Sequence, residues 1–425
     1  MEYDFSDSLN SEAIVLEEFL DNYTTYFVMS EEGADSTVME FYKQIFTLFH
    51  AVFDASEMVA HFEKLAAYKI AQDIPYVIVS NEIHALMHLL IERVKEDRKS
   101  HHLVALLELF RSIDNGVAKL YLMRYVDSLI SLNTIRRNSL ADLVEKNIIT
   151  HYESHLMWLT ELAKKIKEGS TEGFPELNHT MCAFGKWLFS DGKMVIQNNS
   201  KYTGLTNIHK NLHMLAQKIY NILEQQEYHI LINYLEKCEL MSLGIGTELA
   251  LLDNIIINQK VAKDSLTGAL NRQGLRGIFQ SHYELALATS NRFILALCDL
   301  DNFKMLNDTH GHVAGDRMLQ LFVEVVKKNI RNSDVVVRYG GEEFVIMLPS
   351  VNAQMGYKVI EKIREEFAQT PLEFNGSTIY TSVSIGMMEI EPHHPFEQGF
   401  IDDFIMQVDQ KLYFAKEHGR NRVEL

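Results

Sequence analysis

The chain has 425 residues, 47% of them hydrophobic and 23% charged, and a formal net charge of −18. That length suits roughly three domains with ample apolar content for packed cores, and the acidic balance excludes non-specific nucleic-acid binding, which needs a basic surface. Cys182, Cys238 and Cys298 are odd in number and far apart, which excludes a disulfide scaffold and predicts a reduced, cytoplasmic chain.

The first residues, Met1-Glu-Tyr-Asp-Phe-Ser-Asp, lack the basic-then-apolar design of a signal peptide. No apolar run approaches the length of about 18 residues that spans a bilayer, so no transmembrane segment is expected. The six prolines of the chain favour long helices. From Ser11 to about Arg137 the pattern is helical: Leu16, Phe19, Leu20 and Tyr23 recur at helical spacing, as do Phe41, Ile45, Phe46 and Phe49. Further runs over residues 58–70, 76–94 and 102–130 predict about five helices. Gly33 with Ser36, and Asp73 with Pro75, supply the breaks. Residues 1–140 thus read as an all-α sensory or docking module, either a bundle or a globin-like packing. His84 and His88 share one helical face, with His50, His61, His101 and His102 in the same segment. Such a pair can bind zinc, iron or haem; no third ligand is evident, and structural histidines fit the pattern better.

Residues 141–240 carry a second histidine set. His155-Leu-Met-Trp158 lies on one helix, Met181-Cys182-Ala-Phe184-Gly185-Lys186-Trp187 comes after it, and then His209-Lys-Asn-Leu-His213. His209 and His213 sit one helical turn apart, and His155 and Cys182 can complete a tetrahedral set from neighbouring helices. A thiolate with three neutral imidazoles favours zinc over magnesium or calcium. His151 and His179 are rivals by proximity. The stretch resembles the chemoreceptor zinc-binding (CZB) family, a small antiparallel helical bundle. That family pairs a His on its first helix with a Cys ahead of a Phe/Leu-Gly-Arg/Lys-Trp run and a later His-x-x-x-His. His155, Cys182, His209 and His213 fall on those positions; His151 and His179 do not. The resemblance implies a four-helix bundle that binds Zn2+ as a regulatory signal rather than a catalyst.

The pattern stays helical from Met214 to Lys263, with an interruption expected at Gly244 and Gly246. Residues 241–263 then read as a helical linker. The spacing of Leu249, Leu252, Ile255 and Ile256 suits a short parallel coiled coil between two chains, or a helix packing inward on its own bundle.

The last domain, 264–425, opens with Asp264-Ser-Leu-Thr-Gly268, where Asp264 caps the segment after it and Gly268 turns into a helix from about Arg272. Phe293-Ile-Leu-Ala-Leu-Cys298 predicts a buried strand. It ends in Asp299-Leu-Asp301-Asn-Phe303-Lys304, so carboxylates and a lysine emerge at a strand end, where α/β sites form. A helix is predicted over Arg317–Asn329. Val335–Val337 and Phe344–Leu348 then read as a hairpin around Gly340-Gly341-Glu342-Glu343. Its glycines can take positive φ and let a ligand approach the backbone, and its acids offer oxygen ligands to a hard cation. A helix Ala353–Phe367, a strand Ile379–Ile385 and a helix Ile401–His418 complete an α+β domain. Asp299 and Glu342 can sit on neighbouring strands and hold one or two Mg2+ ions against a triphosphate, with Lys304, Lys416 and Arg420 facing phosphate oxygens. Asn307 and Asp316 suit a guanine edge.

Residues Asp264 to Arg422 resemble the GGDEF-type diguanylate cyclases along their full length. Five ordered motifs carry the match: Asp264-Ser-Leu-Thr-Gly, the Asp299-to-Asp316 block, Arg338-Tyr-Gly-Gly-Glu-Glu-Phe344, Ser384-Ile-Gly386 and Ala415-Lys-Glu-His-Gly-Arg-Asn-Arg422. The resemblance implies a fold like the class III nucleotidyl cyclase palm and the condensation of two GTP into cyclic di-GMP with release of two pyrophosphates. It puts Asp299, the Leu300 carbonyl and Glu342 on Mg2+ (or Mn2+) positions. Glu342 also falls on the base for the attacking 3′-hydroxyl, Glu343 on the second cation and Lys304 on the transition-state charge. Asn307, His312 and Asp316 fall on substrate positions, Lys416 and Arg420 on triphosphate contacts. Arg331 and Asp334 match an Arg-x-x-Asp site for inhibition by product. One domain holds one GTP, so a homodimer is implied. The alternative is a degenerate domain acting as a cyclic di-GMP or GTP receptor or as a metal-sensing scaffold; the intact acids argue against it.

Overall fold

The computed structural model describes residues 2–3, 19, 35–49, 51–96, 100–143, 148–196, 198–397 and 399–425. Leu16, Leu20, Tyr23, Gly33 and His50, and the side chain of His101, lie outside the described residues. The chain divides into two compact units. One is Met1–Ile130, Glu161–Phe174 and Leu215–Lys237; the other is Ser131–Thr160, Pro175–Met214 and Cys238–Leu425.

After a short strand β1 (Glu2–Tyr3), the first unit is helical, with α1 (Ser36–Phe49), a strand β2 (Phe53–Asp54), α2 (Ala55–Ala71), α3 (Tyr76–Glu96) and α4 (Ser100–Asp142). Each break has a local cause. Asp35 accepts from the Thr37 amide at 2.8 Å to start α1, and Asp54 caps α2 through the Ser56 amide at 2.8 Å. Asp73, at φ +55, turns the chain between α2 and α3. Val38, Tyr42, Ile45, Phe46 and Phe49 form the buried stripe of α1, the i, i+4, i+7 spacing of an amphipathic helix. Lys69 and Glu82 form a buried ion pair in this core, and the Tyr42 hydroxyl donates to Glu82 at 2.8 Å. His84 and His88 are exposed; His84 Nδ1 bonds its own helix at the Ser80 carbonyl, 2.6 Å away.

Next come α5 (Thr150–Glu168), a short helix α6 (Ala183–Trp187) running into a π turn at Leu188–Gly192 and one further turn at Lys193–Val195, then α7 (Asn199–Leu223) and α8 (Tyr228–Lys260). The expected interruption at Gly244 and Gly246 is absent: α8 is continuous through both. Gly246 serves close packing instead, since a Cβ there would lie 2.6 Å from the Tyr152 ring. Leu249 of the supposed coiled-coil seam is buried in its own chain, while Leu252, Ile255 and Ile256 are half-buried. By length and composition α8 is also apolar enough to cross a membrane, contrary to the expectation that no run would be. Its interior positions, however, include buried Ser242, Asp253 and Asn254, and Asp253 accepts from the Ile148 amide at 2.7 Å and the Ile149 amide at 3.2 Å. Those are the marks of a helix packed in protein.

The C-terminal part has a six-stranded sheet built from β3 (Leu270–Asn271), β4 (Phe293–Leu300), β5 (Val335–Arg338), β6 (Glu343–Pro349), β9 (Val383–Ile390) and β10 (Val423–Glu424), in the order β10-β9-β4-β6-β5-β3. β4 is central, fully buried and antiparallel to both β6 and β9. The helices are α9 (Arg272–Ala288), α10 (Phe303–His310), α11 (His312–Asn329), α12 (Ala353–Gln369) and α13 (Phe400–Glu417). A separate hairpin pairs β7 (Leu372–Phe374) with β8 (Ser377–Ile379), turning at Asn375 and Gly376, both at positive φ. The predicted strand Ile379–Ile385 is therefore split. Thr381 and Ser382 leave the sheet because their hydroxyls donate to the Asp301 carbonyl at 2.8 Å and carboxylate at 2.6 Å. Asn271, rather than Asp264, caps α9.

Candidate metal and nucleotide sites

The nucleotide site is built on the end of β4. The antiparallel register sets Asp299 opposite Glu343 on β6 and opposite Ser384 on β9. The turn between β5 and β6 is closed by the Tyr339 and Gly340 amides, which donate to the Glu343 carbonyl at 2.8 and 3.2 Å. The Leu300 amide donates to the Glu342 carbonyl at 3.3 Å, which holds Glu342 beside the strand end. Neither Gly340 nor Gly341 adopts the positive φ their pairing suggested. Space is the constraint: a Cβ on Gly340 would lie 2.4 Å from Glu343 Oε2, whereas Gly341 faces open space. Arg338 clamps this turn, donating to the Gly341 carbonyl at 2.9 Å and to Asp264 at 3.2 Å. Asp264 in turn accepts from the Thr267 amide and hydroxyl at 2.8 and 2.7 Å. The Asp-Ser-Leu-Thr-Gly motif is thus a brace for the Gly-Gly-Glu-Glu turn, a role that sequence reasoning missed.

Lys416 Nζ lies 2.8 Å from Asp299 Oδ2. Burial pushes the Asp299 carboxyl up against the opposing pull of Lys416, and burial together with the Asp299 charge pushes Glu343 up. Two partly desolvated carboxylates side by side make a site that gains from a cation. Arg420, at φ +61, lies just past the end of α13 and adds positive potential at Asp299. Lys304 and Asn307 lie on α10, and His312 and Asp316 at the start of α11, the helices that leave the same strand end. Lys304, His312 and Asp316 are exposed. Asn307 Oδ1 is buried without a partner, packed so closely on Gly315 that a Cβ there would lie 1.9 Å away. Asp301, by contrast, is consumed by structure: it accepts from the Ser382 and Ser384 hydroxyls, both at 2.6 Å, and from the Asn421 amide at 3.1 Å. Arg331 and Asp334 meet at a turn, where the Arg331 amide donates to Asp334 Oδ2 at 2.8 Å.

The second site lies among α5, α6 and α7. The ligand atoms of Cys182, His209 and His213 all fall within 4.8 Å of one another and are buried. Cys182 Sγ is 3.3 Å from His209 Nε2. His155 approaches from α5, its ring centroid 5.6 Å from that of His209. Three ring nitrogens, His155 Nε2, His209 Nδ1 and His213 Nε2, are buried with no hydrogen-bond partner. The orphaned nitrogens of His155 and His213, with His209 Nε2 beside the thiol, fit a zinc ion. Two of the outer nitrogens are engaged: His213 Nδ1 meets the Leu177 carbonyl at 3.0 Å, and His155 Nδ1 meets Ser242 Oγ at 3.2 Å. Such bonds orient a metal-binding imidazole. Burial pushes the three imidazoles down, His155 to about 3, His209 to about 2 and His213 to about 4, so all are neutral and ready to ligate at pH 7. Cys182 caps α6, accepting from the Gly185 amide at 3.2 Å. A Cβ on Gly185 would lie 1.9 Å from the His179 carbonyl, which explains glycine three residues after the cysteine. Of the rivals, His151 stacks on Trp187 at 4.1 Å, and the His179 ring stands 6.2 Å from His209.

Comparison with known proteins finds two domain families in the chain. Residues 261–422 match the family model of the diguanylate cyclase GGDEF domain, and residues 155–220 match that of the chemoreceptor zinc-binding domain. The diguanylate cyclase DgcP of Pseudomonas aeruginosa is 34% identical over 39% of this chain and 24% of its own length. DosC, a diguanylate cyclase of Escherichia coli, is 30% identical over 68% of this chain and 62% of its own length. The chain thus spans from about a quarter to less than two thirds of these relatives. Among solved structures, the GGDEF domain of DgcB from Caulobacter crescentus in complex with c-di-GMP is 30% identical, with 38% of this chain and 94% of that one covered and a TM-score of 0.35. This chain carries a chemoreceptor zinc-binding domain followed by a GGDEF domain of the diguanylate cyclase family.

Proposed function

We propose that the protein is a zinc-regulated diguanylate cyclase that condenses two GTP into cyclic di-GMP and works as a homodimer in the cytoplasm. The observation that carries the reading is the cross-strand pairing of Asp299 with Glu343 beside the open Gly341 turn. Each 3′-hydroxyl attacks the α-phosphate of the facing GTP, and pyrophosphate leaves with the broken α–β bond. A bound Mg2+ or Mn2+ supplies charge neutralisation on the triphosphate; Asp299, the Leu300 carbonyl, Glu342 and Glu343 would hold it. Glu342 takes the proton of the attacking hydroxyl. Lys304, Lys416 and Arg420 face phosphate oxygens, while Asn307, His312 and Asp316 hold the nucleoside. Each domain carries one set of these groups, so the reaction needs a second copy opposite.

Zinc at His155, Cys182, His209 and His213 lowers the rate by constraining the helices that lead to the cyclase domain, and product at Arg331 and Asp334 lowers it again. The support for zinc regulation is that His155 touches Ser242 of α8, the helix that runs to the GGDEF domain. Incubation of the purified full-length protein with GTP and Mg2+, with and without a zinc chelator, tests the reading. Cyclic di-GMP should accumulate, faster with chelator; no product in either arm would leave the receptor alternative.

A further inference from the structure

A cavity of about 390 Å3 lies where the C-terminal end of α8 meets the cyclase domain. Its walls include Asn258 of α8, Lys263, Lys327, Arg331 and Asp334. The size is that of a small-ligand site. Its charge is opposite to that of the chain: three of its lining residues are cationic and one, Asp334, is a carboxylate, in a protein of net charge −18. Lys327 Nζ donates to the Gly268 carbonyl at 2.7 Å. Among the described residues neither Lys263 nor Lys327 forms an ion pair. Burial and the neighbouring Lys263 both push the Lys327 ammonium down, so the two lysines repel each other across a space that an anion would relieve. On the far wall Asn258 reaches from α8 to the carbonyls of Asn332, Ser333 and Asp334, each at 3.4 Å, while its own Oδ1 is buried without a partner.

We propose that this cavity extends the Arg331–Asp334 product site onto the connector, with Lys263 and Lys327 receiving phosphate oxygens of cyclic di-GMP and Asn258 Oδ1 accepting from its base. The proposal rests on the reading of Arg331 and Asp334 as a product site and adds the residues that join that site to α8. The chain just past α8 is pinned by the Asn271 amide on the Ala262 carbonyl at 3.0 Å and by the Lys263–Leu270 bridge, whereas the contacts of Asn258 at 3.4 Å are long and weak and are open to exchange for a ligand. A dianionic ligand bound by groups on both walls fastens the helix to the cyclase domain. Product binding is thereby a clamp on the joint through which the helical modules reach the active site, and by reciprocity whatever displaces α8 weakens product binding.

Calorimetric titration of the full-length protein with cyclic di-GMP tests this through three variants. Lys263→Gln and Lys327→Gln should each weaken binding about ten-fold, ~1.4 kcal/mol, and each should flatten the dependence of affinity on salt. Arg331→Ala should abolish binding. Loss of binding in Arg331→Ala with wild-type affinity and salt dependence in both lysine variants would overturn the extension and keep the product site. Unchanged binding in Arg331→Ala would overturn the product site itself. Lys263 is exposed, so Lys263→Gln decides the matter even if Lys327→Gln, which loses its bond to Gly268, is unstable.

Discussion

His155 Nδ1 stands 3.2 Å from Ser242 Oγ, so the proposed zinc ligand on α5 is oriented by a buried residue of α8, with the Tyr152 hydroxyl 3.5 Å from the same oxygen. The contact leaves Nε2 as the metal-facing nitrogen. Removing an outer-shell partner typically weakens metal binding by about 10–100-fold. Ser242→Ala should therefore lower zinc affinity by about ten-fold or more in a chelator competition, and basal turnover of the zinc-free protein should stay within about two-fold. Equal zinc affinities in the two proteins would mean that Ser242 only fills space.

The thiol gives a harder test of the same site. Cys182 is the one sulfur in the proposed ligand set, and its loss leaves His209 and His213 of the cluster with no anionic partner for the ion. Metal analysis should find about one zinc per wild-type chain and about none in Cys182→Ala after dialysis. The variant's cyclase activity should then be indifferent to chelator. Retention of zinc would shift the ligand role to His179, whose ring lies nearest among the alternatives at 6.2 Å from His209.

At the Gly-Gly-Glu-Glu turn the small residue is needed for a carboxylate rather than for the backbone. A methyl on Gly340 would lie 2.4 Å from Glu343 Oε2, and the acid must swing away from Asp299. A displacement of about 1 Å in a catalytic group costs about 100-fold in rate. Gly340→Ala should lose about that much kcat while its circular dichroism and melting stay those of the wild type. Equal rates for Gly340→Ala and wild type would refute the steric account.

The parts of this molecule that were legible in its sequence are those where pattern and chemistry coincide. β4 reads as a run of apolar residues because both its faces are buried, and His209 and His213, which helical spacing puts on one face, do gather with Cys182 in the fold. The features hidden from sequence depend on contacts between distant segments. Asp264 looks like a helix cap, and only the fold shows that its carboxylate meets Arg338. Gly246 looks like a helix breaker, until Tyr152 is seen against it. Asp301 and Asp299 are chemically alike in the sequence; three hydrogen-bond donors from β9 and its approaches and from the α13 terminus separate the structural acid from the one that faces Lys416. Periodicity carries burial, but not the partner across the sheet.

The Asp264–Arg338 brace makes its own prediction. Burial pushes the Asp264 carboxyl up, yet bonds from Thr267 and the Arg338 charge outweigh it and leave its pKa below the usual value. A carboxylate favoured in the fold stabilises it above the unfolded pKa of about 3.9 and loses that contribution as pH falls through the folded value. Asp264→Asn should lower stability at pH 7 by about 1 kcal/mol and should lower kcat through the loosened turn more than it raises KM for GTP. An unchanged kcat with reduced stability would confine the brace to folding.

Acid sensitivity of the fold should trace in part to His282. The residue is buried in α9 and neither ring nitrogen has a hydrogen-bond partner; burial pushes its imidazole down to about 4. In the unfolded chain it titrates near 6.5. Between those values the unfolded state binds a proton that the folded state refuses, so stability falls as pH drops from about 6.5 toward 4 and is flat above. At pH 5 the loss from this one group is about 2 kcal/mol. His282→Leu removes both the proton site and two unsatisfied polar atoms from an apolar setting. Urea unfolding of the variant at pH 7.5 and pH 5 should show a stability difference smaller than that of the wild type by about 2 kcal/mol. The zinc histidines, depressed in the same direction, are common to both proteins and cancel in the comparison. The same pH-dependent loss in variant and wild type would place the acid-sensitive proton elsewhere.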